Sequence, residues 1–345
     1  MPAKINSCIF CRHRFSGSKM DSNRYVKCFT VYYYIYIIFG LLSQSILFHL
    51  IRRKSPPSLS SLKYYLWNTC LIQIIEIILG FFTQNRNLPN KTSLAILPGG
   101  PCKYFSEYVC FACYHIFLAV SMLVAISIAN TVAFRFLLLR YNGLSKQSIM
   151  KMIAASYIPS ILLSIIPFLD TWDFSEVRRL TAIEHPTYDL TIYGNYPGFA
   201  NITTVPFLSA TLIVAIGAYG IPLLSAILTK WILSMILRNG SMSRKTKHHA
   251  IMLVYGLACQ TLLPLISYVP IITLYLISQI TGEEMLLTEH FLMLCSGFPA
   301  LIDPFISFYF IVPFRNALIG FVRRKPVIEE TTMVVSSVSF VKRSL

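Results

Sequence analysis

Charge is what this chain has least of. Only 13% of its 345 residues are charged, and acids are rarer than bases, 14 Asp and Glu against 30 Lys and Arg. Soluble domains carry ~25% charged residues. Half that level, with 55% hydrophobic residues, excludes an ordinary water-soluble domain. The sequence has no HExxH pattern, no Gly-rich phosphate loop and no Ser/His/Asp arrangement. Among its seven histidines only His248 and His249 are neighbours, so the His clusters of membrane desaturases and hydroxylases are missing and no catalytic residue is assigned. No small-residue cleavage site follows the first apolar block, which argues against a cleaved signal peptide. No internal repeat of the kind seen in many transporters is present.

Cysteine gives no disulfide framework either. Of nine cysteines, Cys70, Cys259 and Cys295 lie inside apolar runs, where thiols act as small hydrophobes. Cys8 and Cys11, followed by His13, have one half of a zinc-like spacing without a second pair. No metal or cofactor is expected.

What the chain does have is long apolar runs, at about 29–51, 64–82, 104–134, 152–168, 205–229, 250–280 and 290–314. Each is long enough to cross ~30 Å of hydrocarbon at 1.5 Å per residue. The expected fold class is all-α, a polytopic seven-transmembrane helix bundle between an N-terminal tail (1–28) and a C-terminal tail (315–345). Spans three and six are long and must tilt, kink or protrude; Pro264 and Pro270 supply a kink in span six.

The bases choose an orientation. Segments 52–63, 135–151, 230–249 and 315–345 hold 19 Lys and Arg, whereas 83–104, 169–205 and 281–290 hold 5. The positive-inside rule therefore puts the C-terminus inside and the N-terminus outside. Segment 1–28 dissents with six bases; a start at Met20 would shorten it. The +16 net charge accordingly meets lipid headgroups, not nucleic acid. Two sequons, Asn90-Lys91-Thr92 and Asn201-Ile202-Thr203, fall in loops assigned outside and are candidate glycosylation sites at Asn90 and Asn201.

Two carboxylates lie deep in apolar runs, Glu76 in LIQIIEIILG and Asp303 in LIDPFISFYF. Counted from Lys63 and Arg315, both sit roughly 18–20 Å above the basic ends. They are expected to face the bundle interior near one another, with water, Gln73 or a cation between them. Two like charges that close cannot both stay ionised. Pro304 removes a backbone hydrogen bond beside Asp303, so Glu76, Asp303 and Pro304 form a candidate polar core and activation hinge; the alternative is that each acid is a neutral packing residue. By depth alone, Tyr114, His115 and Phe117 on span three and Tyr268 and Tyr275 on span six are candidate ligand contacts. The acids of loop 169–205, with Glu283, Glu284 and Glu289, form an acidic mouth that either attracts cationic ligands or follows from topology alone.

Several motifs in order along residues 25–325 resemble the nematode serpentine chemoreceptors, and class delta most of all. They are KSPPSLSSLKYYLWN (54–68), GGPCKYFS (99–106), FRFLLLRY (134–141), EHPTYDLTIYG (184–194), MSRKTKHHAIMLVYGLACQTLLPLISYVP (242–270) and LIDPFISFYFIVPFR (301–315). The resemblance implies a G-protein-coupled receptor in sensory neurons, placed in the ciliary membrane. It would bind a small environmental molecule and activate a heterotrimeric G protein. Candidate coupling residues are Arg135, Lys245, Lys247 and Arg315 at the basic ends. The rival class is a seven-span ligand-gated channel or transporter. The chain departs from rhodopsin-like receptors in two places. Phe134 precedes Arg135 where an acid would form an ionic lock, and loop 169–205 has no cysteine to bridge Cys102. Cys28 is an open partner for Cys102, while Cys110 and Cys113 are read as too deep.

Overall fold

The computed structural model describes residues 19–55, 61–141, 144–238, 244–282 and 285–323, with the side chains of 19–25, 245, 246, 249, 322 and 323 left aside. Cys8, Cys11, Glu283, Glu284, the tail beyond Arg323 and the side chain of Lys245 thus lie outside the described residues. In chain order the helices are α1 (Lys19–Arg53), α2 (Leu62–Thr83), α3 (Glu107–Arg140), α4 (Lys146–Ile165), α5 (Phe174–Glu184), α6 (Val205–Arg238), α7 (Arg244–Thr281), α8 (Leu286–Phe310) and α9 (Val312–Arg323). Among the described residues the strands are β1 (Asn85–Pro89), β2 (Leu94–Pro98) and β3 (Gly198–Phe199).

Among the described residues, seven helices are long and apolar enough to cross a membrane: α1 to α4 and α6 to α8. Their outward faces carry side chains that water would reject, such as Ile35, Ile38, Phe39 and Leu42 on α1 and Leu212, Ile216 and Leu223 on α6. This is the pattern of helices whose solvent is lipid. Helix α3 is central and packs on α2, α4, α6, α7 and α8, while α1 closes the ring against α2 and α8.

The helices differ from the apolar runs at their ends. α3 and α6 extend past the oily segments to Arg140 and Arg238, because basic side chains continue a helix into the headgroup layer. The seventh span stops at Phe310, not 314. Ile311 turns extended, and Pro313 then sits in the first turn of α9, where its missing N–H costs nothing.

The sequence reading contained no strands, yet residues 84–100 form a hairpin. Gln84 takes a left-handed conformation (φ 43°) that caps α2. β1 and β2 pair antiparallel from Asn85↔Pro98 to Pro89↔Leu94, and β3 adds to β2 through Leu94↔Phe199 and Ala95↔Gly198. At Gly198 a Cβ would overlap the Leu94 carbonyl, so only glycine permits this pairing distance. Every residue of β1 and β2 is buried. The sheet is set into one end of the bundle, against α8, α7 and α5. We call this the hairpin end, and the opposite one the basic end.

Candidate functional site

At the hairpin end the sheet is fixed by one buried ion pair. Arg86 on β1 donates to Glu289 Oε2 through Nε (2.9 Å) and Nη2 (2.5 Å), and its Nη1 reaches the Tyr193 hydroxyl at 3.3 Å. Tyr188 donates to the other carboxylate oxygen at 3.2 Å and lies under the guanidinium, 4.9 Å from its ring centre. Arg86 and Glu289 keep only 3% and 1% exposure. Burial works against the Arg86 charge, but Glu289 and Tyr193 outweigh it and hold its pKa above the ordinary arginine value. The hairpin tip is held as firmly: Gln279 donates to the Asn90 carbonyl at 2.5 Å.

The other acids at this end are also committed locally. Asp173 caps α5 by accepting from Glu176 N, Glu176 pairs with Arg179, Glu107 with Arg178, and Glu184 accepts from Lys91 N. Hydrogen bonds from Ser175 and from Glu176 N lower the Asp173 pKa. The acidic mouth of the sequence reading is therefore, among the described residues, a set of engaged carboxylates.

Beneath the sheet lies a packed aromatic cluster. Phe111, Tyr114, Phe117, Phe174, Phe199, Phe207 and Tyr275 form one buried cluster. His115 sits within it, its ring 4.5 Å from Phe111, 4.9 Å from Tyr114 and 5.4 Å from Phe199. The Tyr114 hydroxyl accepts from Asn87 Nδ2 at 2.7 Å. Yet His115 Nε2, Asn87 Oδ1 and both side-chain polar atoms of Asn85 are buried without a hydrogen-bond partner, a costly condition. Of the candidate ligand residues, Tyr114, His115, Phe117 and Tyr275 thus come together. Tyr268 does not: it packs with Ala125 and Ala218 and donates to the Ser296 carbonyl at 3.0 Å.

Midway down the bundle is the polar core. Asp303 is buried, and its Oδ2 accepts from Gln73 at 3.0 Å. Gln44 on α1, absent from the sequence reading, donates to Gln73 Oε1 at 2.9 Å and to the Ala300 carbonyl at 2.8 Å. That carbonyl would normally accept from residue 304, which is proline and has no N–H. Gln44 therefore replaces the hydrogen bond that Pro304 removes. A cavity of about 10 Å³, lined by Thr69, Cys70, Thr131, Gln260, Asp303 and Ser307 among others, is the size that accommodates one water.

Glu76 and Asp303 do not share a site as expected. Gln73 turns toward Asp303. Glu76, three residues on, lies beside Ser121, Tyr36 and Tyr268, and neither of its oxygens has a hydrogen-bond partner. Three residues leave the two side chains about 60° apart and about 4.5 Å displaced along the helix axis, enough to give them different neighbours.

The remaining candidates fall at the surfaces. At the basic end Arg135 is half-buried, with Nε and Nη2 lacking partners. Lys247 donates to the Leu237 carbonyl at 2.9 Å, and Arg315 lies in the first turn of α9. Asn201 is exposed, its Oδ1 bonded to Thr203. Asn90 is a correction. It is buried, its amide donates to Ser93 at 2.7 Å and Thr181 at 3.0 Å, and its Oδ1 meets His185 at 3.1 Å; a glycan has no room there. Cys28 is exposed and Cys102 buried, both as free thiols, and Cys110, read as too deep, lies close enough to Cys102 to interact with it.

Arg86 and Gln44 are the residues that sequence reasoning missed. The usable signals were an arginine in the short loop 83–104 and an amide inside the apolar run LLSQSILF. Neither signal names a partner.

Comparison with known proteins gives a consistent result. Residues 29–320 match the profile of a family described as serpentine type 7TM GPCR chemoreceptor Srd. The chain is 46% identical over 319 residues to serpentine receptor class delta-59 of Caenorhabditis elegans, covering 92% of this chain and 98% of that relative. It is 30% identical to class delta-51 of the same organism over 290 residues, covering 84% and 85%. Class delta-50 is also 30% identical, over 313 residues and 87% and 91% of the two chains.

Proposed function

The chain belongs to the serpentine seven-transmembrane chemoreceptor family Srd, and from that membership we propose that it is a chemosensory receptor that binds a small environmental molecule and activates a heterotrimeric G protein. The family is one of receptors, not enzymes, and the protein is a multi-pass membrane protein. The hairpin end faces outside and the basic end faces the cytoplasm, as the distribution of Lys and Arg argues. Placement in a sensory cilium follows from the family reading alone.

One observation carries the ligand role. The aromatic cluster under the hairpin keeps His115 Nε2 and Asn87 Oδ1 buried and unbonded, in a fold that satisfies the carbonyl above Pro304 with a glutamine from another helix. Groups left unsatisfied in a ring of aromatic side chains suit a small ligand that stacks and forms one or two hydrogen bonds. Ligand entry requires the sheet to move, and the Arg86–Glu289 pair is what holds it. At the basic end, Arg135, with two buried nitrogens that lack partners, and Lys245, Lys247 and Arg315 are the candidate contacts for a G protein.

The test is heterologous expression with cyclic-nucleotide and calcium readouts against a panel of volatile and pheromone-like compounds. A saturable response that requires a G protein and falls at least tenfold in potency in His115→Phe is expected. A ligand-gated current without a G protein would overturn the reading in favour of a channel.

A further inference from the structure

The hairpin end holds a pair of thiols that the receptor reading does not use. Cys102 lies in a short 3-10 turn, Pro101–Tyr104, between β2 and α3. That turn is pinned to α2: Gly99 N donates to the Gln84 carbonyl and Gly100 N to the Thr83 carbonyl, each at 3.1 Å. A Cβ at Gly100 would collide with the Phe82 carbonyl, so the glycine fixes where the next two residues go. The Cys102 sulfur comes to lie 4.0 Å from the Thr83 carbonyl at the end of α2, within reach of the first turn of α3. Cys110 projects back from that turn, as helical side chains lean toward the N-terminus. The two thiols are 0% and 1% exposed, both are free in the structure, and they lie close enough to interact, with Cys113 one turn further along.

We propose that Cys102 and Cys110 are joined by a disulfide in the receptor at the cell surface. The bond takes over the anchoring of α3 that a cysteine in loop 169–205 would supply, since that loop has none. It forms by exchange with a disulfide-bearing oxidoreductase of the secretory lumen. A thiolate of the pair attacks the carrier disulfide, giving a mixed disulfide and one carrier thiol. The second thiolate displaces the other carrier sulfur, so two cysteine thiols are oxidised to one S–S bond and the carrier is reduced to its dithiol. Both protons leave with the carrier thiols. An oxidising compartment is needed, so the inference rests on the proposed outside placement of the hairpin end. Both thiols are buried in the finished fold, so closure during folding, before the site is covered, is the productive route.

The chain is convenient for the test, because trypsin cleaves after Lys103 and separates the two cysteines. Surface-biotinylated full-length receptor is denatured, alkylated with iodoacetamide without reduction, digested and analysed by mass spectrometry. The expected result is a cross-link between peptides 92–103 and 104–135 that is lost on reduction, lost in Cys110→Ser and retained in Cys113→Ser. Alkylated Cys102 in the surface receptor overturns the proposal, as does a cross-link that persists in Cys110→Ser or leads to Cys28. If Cys110→Ser fails to reach the surface, wild-type receptor is reduced in detergent and reoxidised with oxidised glutathione; failure of the same cross-link to return overturns the pairing. Staining of an epitope at position 240 on intact cells separately reports an inverted orientation, which would defeat the receptor topology and not the thiol geometry.

Discussion

Replacing Arg86 by Met leaves the Glu289 carboxylate buried with only the Tyr188 hydroxyl as donor. Breaking a buried pair by deleting one partner costs about 3–5 kcal/mol, because the surviving charge is uncompensated. The cost falls on the hairpin, which Arg86 ties to α8, and not on the helical core. Local opening of residues 85–98 therefore becomes easier, while amides in the middle of α3 are unaffected. At 1.4 kcal/mol per factor of ten, hydrogen exchange of the hairpin amides should accelerate roughly 140- to 3,700-fold. Mass-spectrometric exchange on receptor in nanodiscs reads this directly. The double variant Arg86→Met, Glu289→Leu removes both charges, and replacing a buried pair with apolar groups is often neutral or better; its exchange should return to within about tenfold of wild type. The sign of the pH effect is fixed as well. Arg86 has a raised pKa in the fold, so its contribution is fully present below the ordinary arginine pKa and is lost only as pH rises through the folded value. No pH at which the receptor is handled should release the hairpin through Arg86. Hairpin exchange unchanged in the single variant, or equally fast in the double, would refute the argument that this pair holds the sheet.

Gln44→Leu should lower thermal stability by about 1–3 kcal/mol, the cost of an unsatisfied buried carbonyl at Ala300; Pro304→Ala in the same chain supplies a backbone N–H and should recover part of it in a melting assay. Asp303→Leu should reduce G-protein signalling more than surface delivery, measured by reporter assay beside surface ELISA, and full signalling would sink the hinge reading. Asp173 has a lowered pKa in the fold, so its capping of α5 is present above the ordinary carboxylate pKa and lost as pH falls through the folded value. Exchange in residues 174–177, corrected for intrinsic rates, should therefore hold steady at neutral pH and rise only in acid below the usual aspartate range. Glycosidase treatment should shift the gel mobility of wild type and Asn90→Gln alike, and leave Asn201→Gln unchanged.

The sequence by itself determined the solvent, the number of spans and the family. Apolar runs of about 20 residues have one stable fate in lipid, because every backbone hydrogen bond must be satisfied within the segment. The motif order from KSPPSLSSLKYYLWN to LIDPFISFYFIVPFR was enough to point to class delta. The same local rules located Glu76 and Asp303 as buried carboxylates, since depth along a helix follows from counting residues. Partners do not follow from counting. Which face of α2 turns to α8, and so whether Gln73 or Glu76 meets Asp303, depends on how two helices rotate against each other. The hairpin was invisible for a related reason: its pairing and its burial depend on Gly198 and α8, more than 100 and 190 residues away, while its own composition reads as loop. Arg86 beside Glu289, Gln44 beneath Ala300 and Cys102 against Cys110 were all decided by tertiary packing, because a hydrogen bond or ion pair is a property of two positions in space and the chain specifies them only through the whole fold.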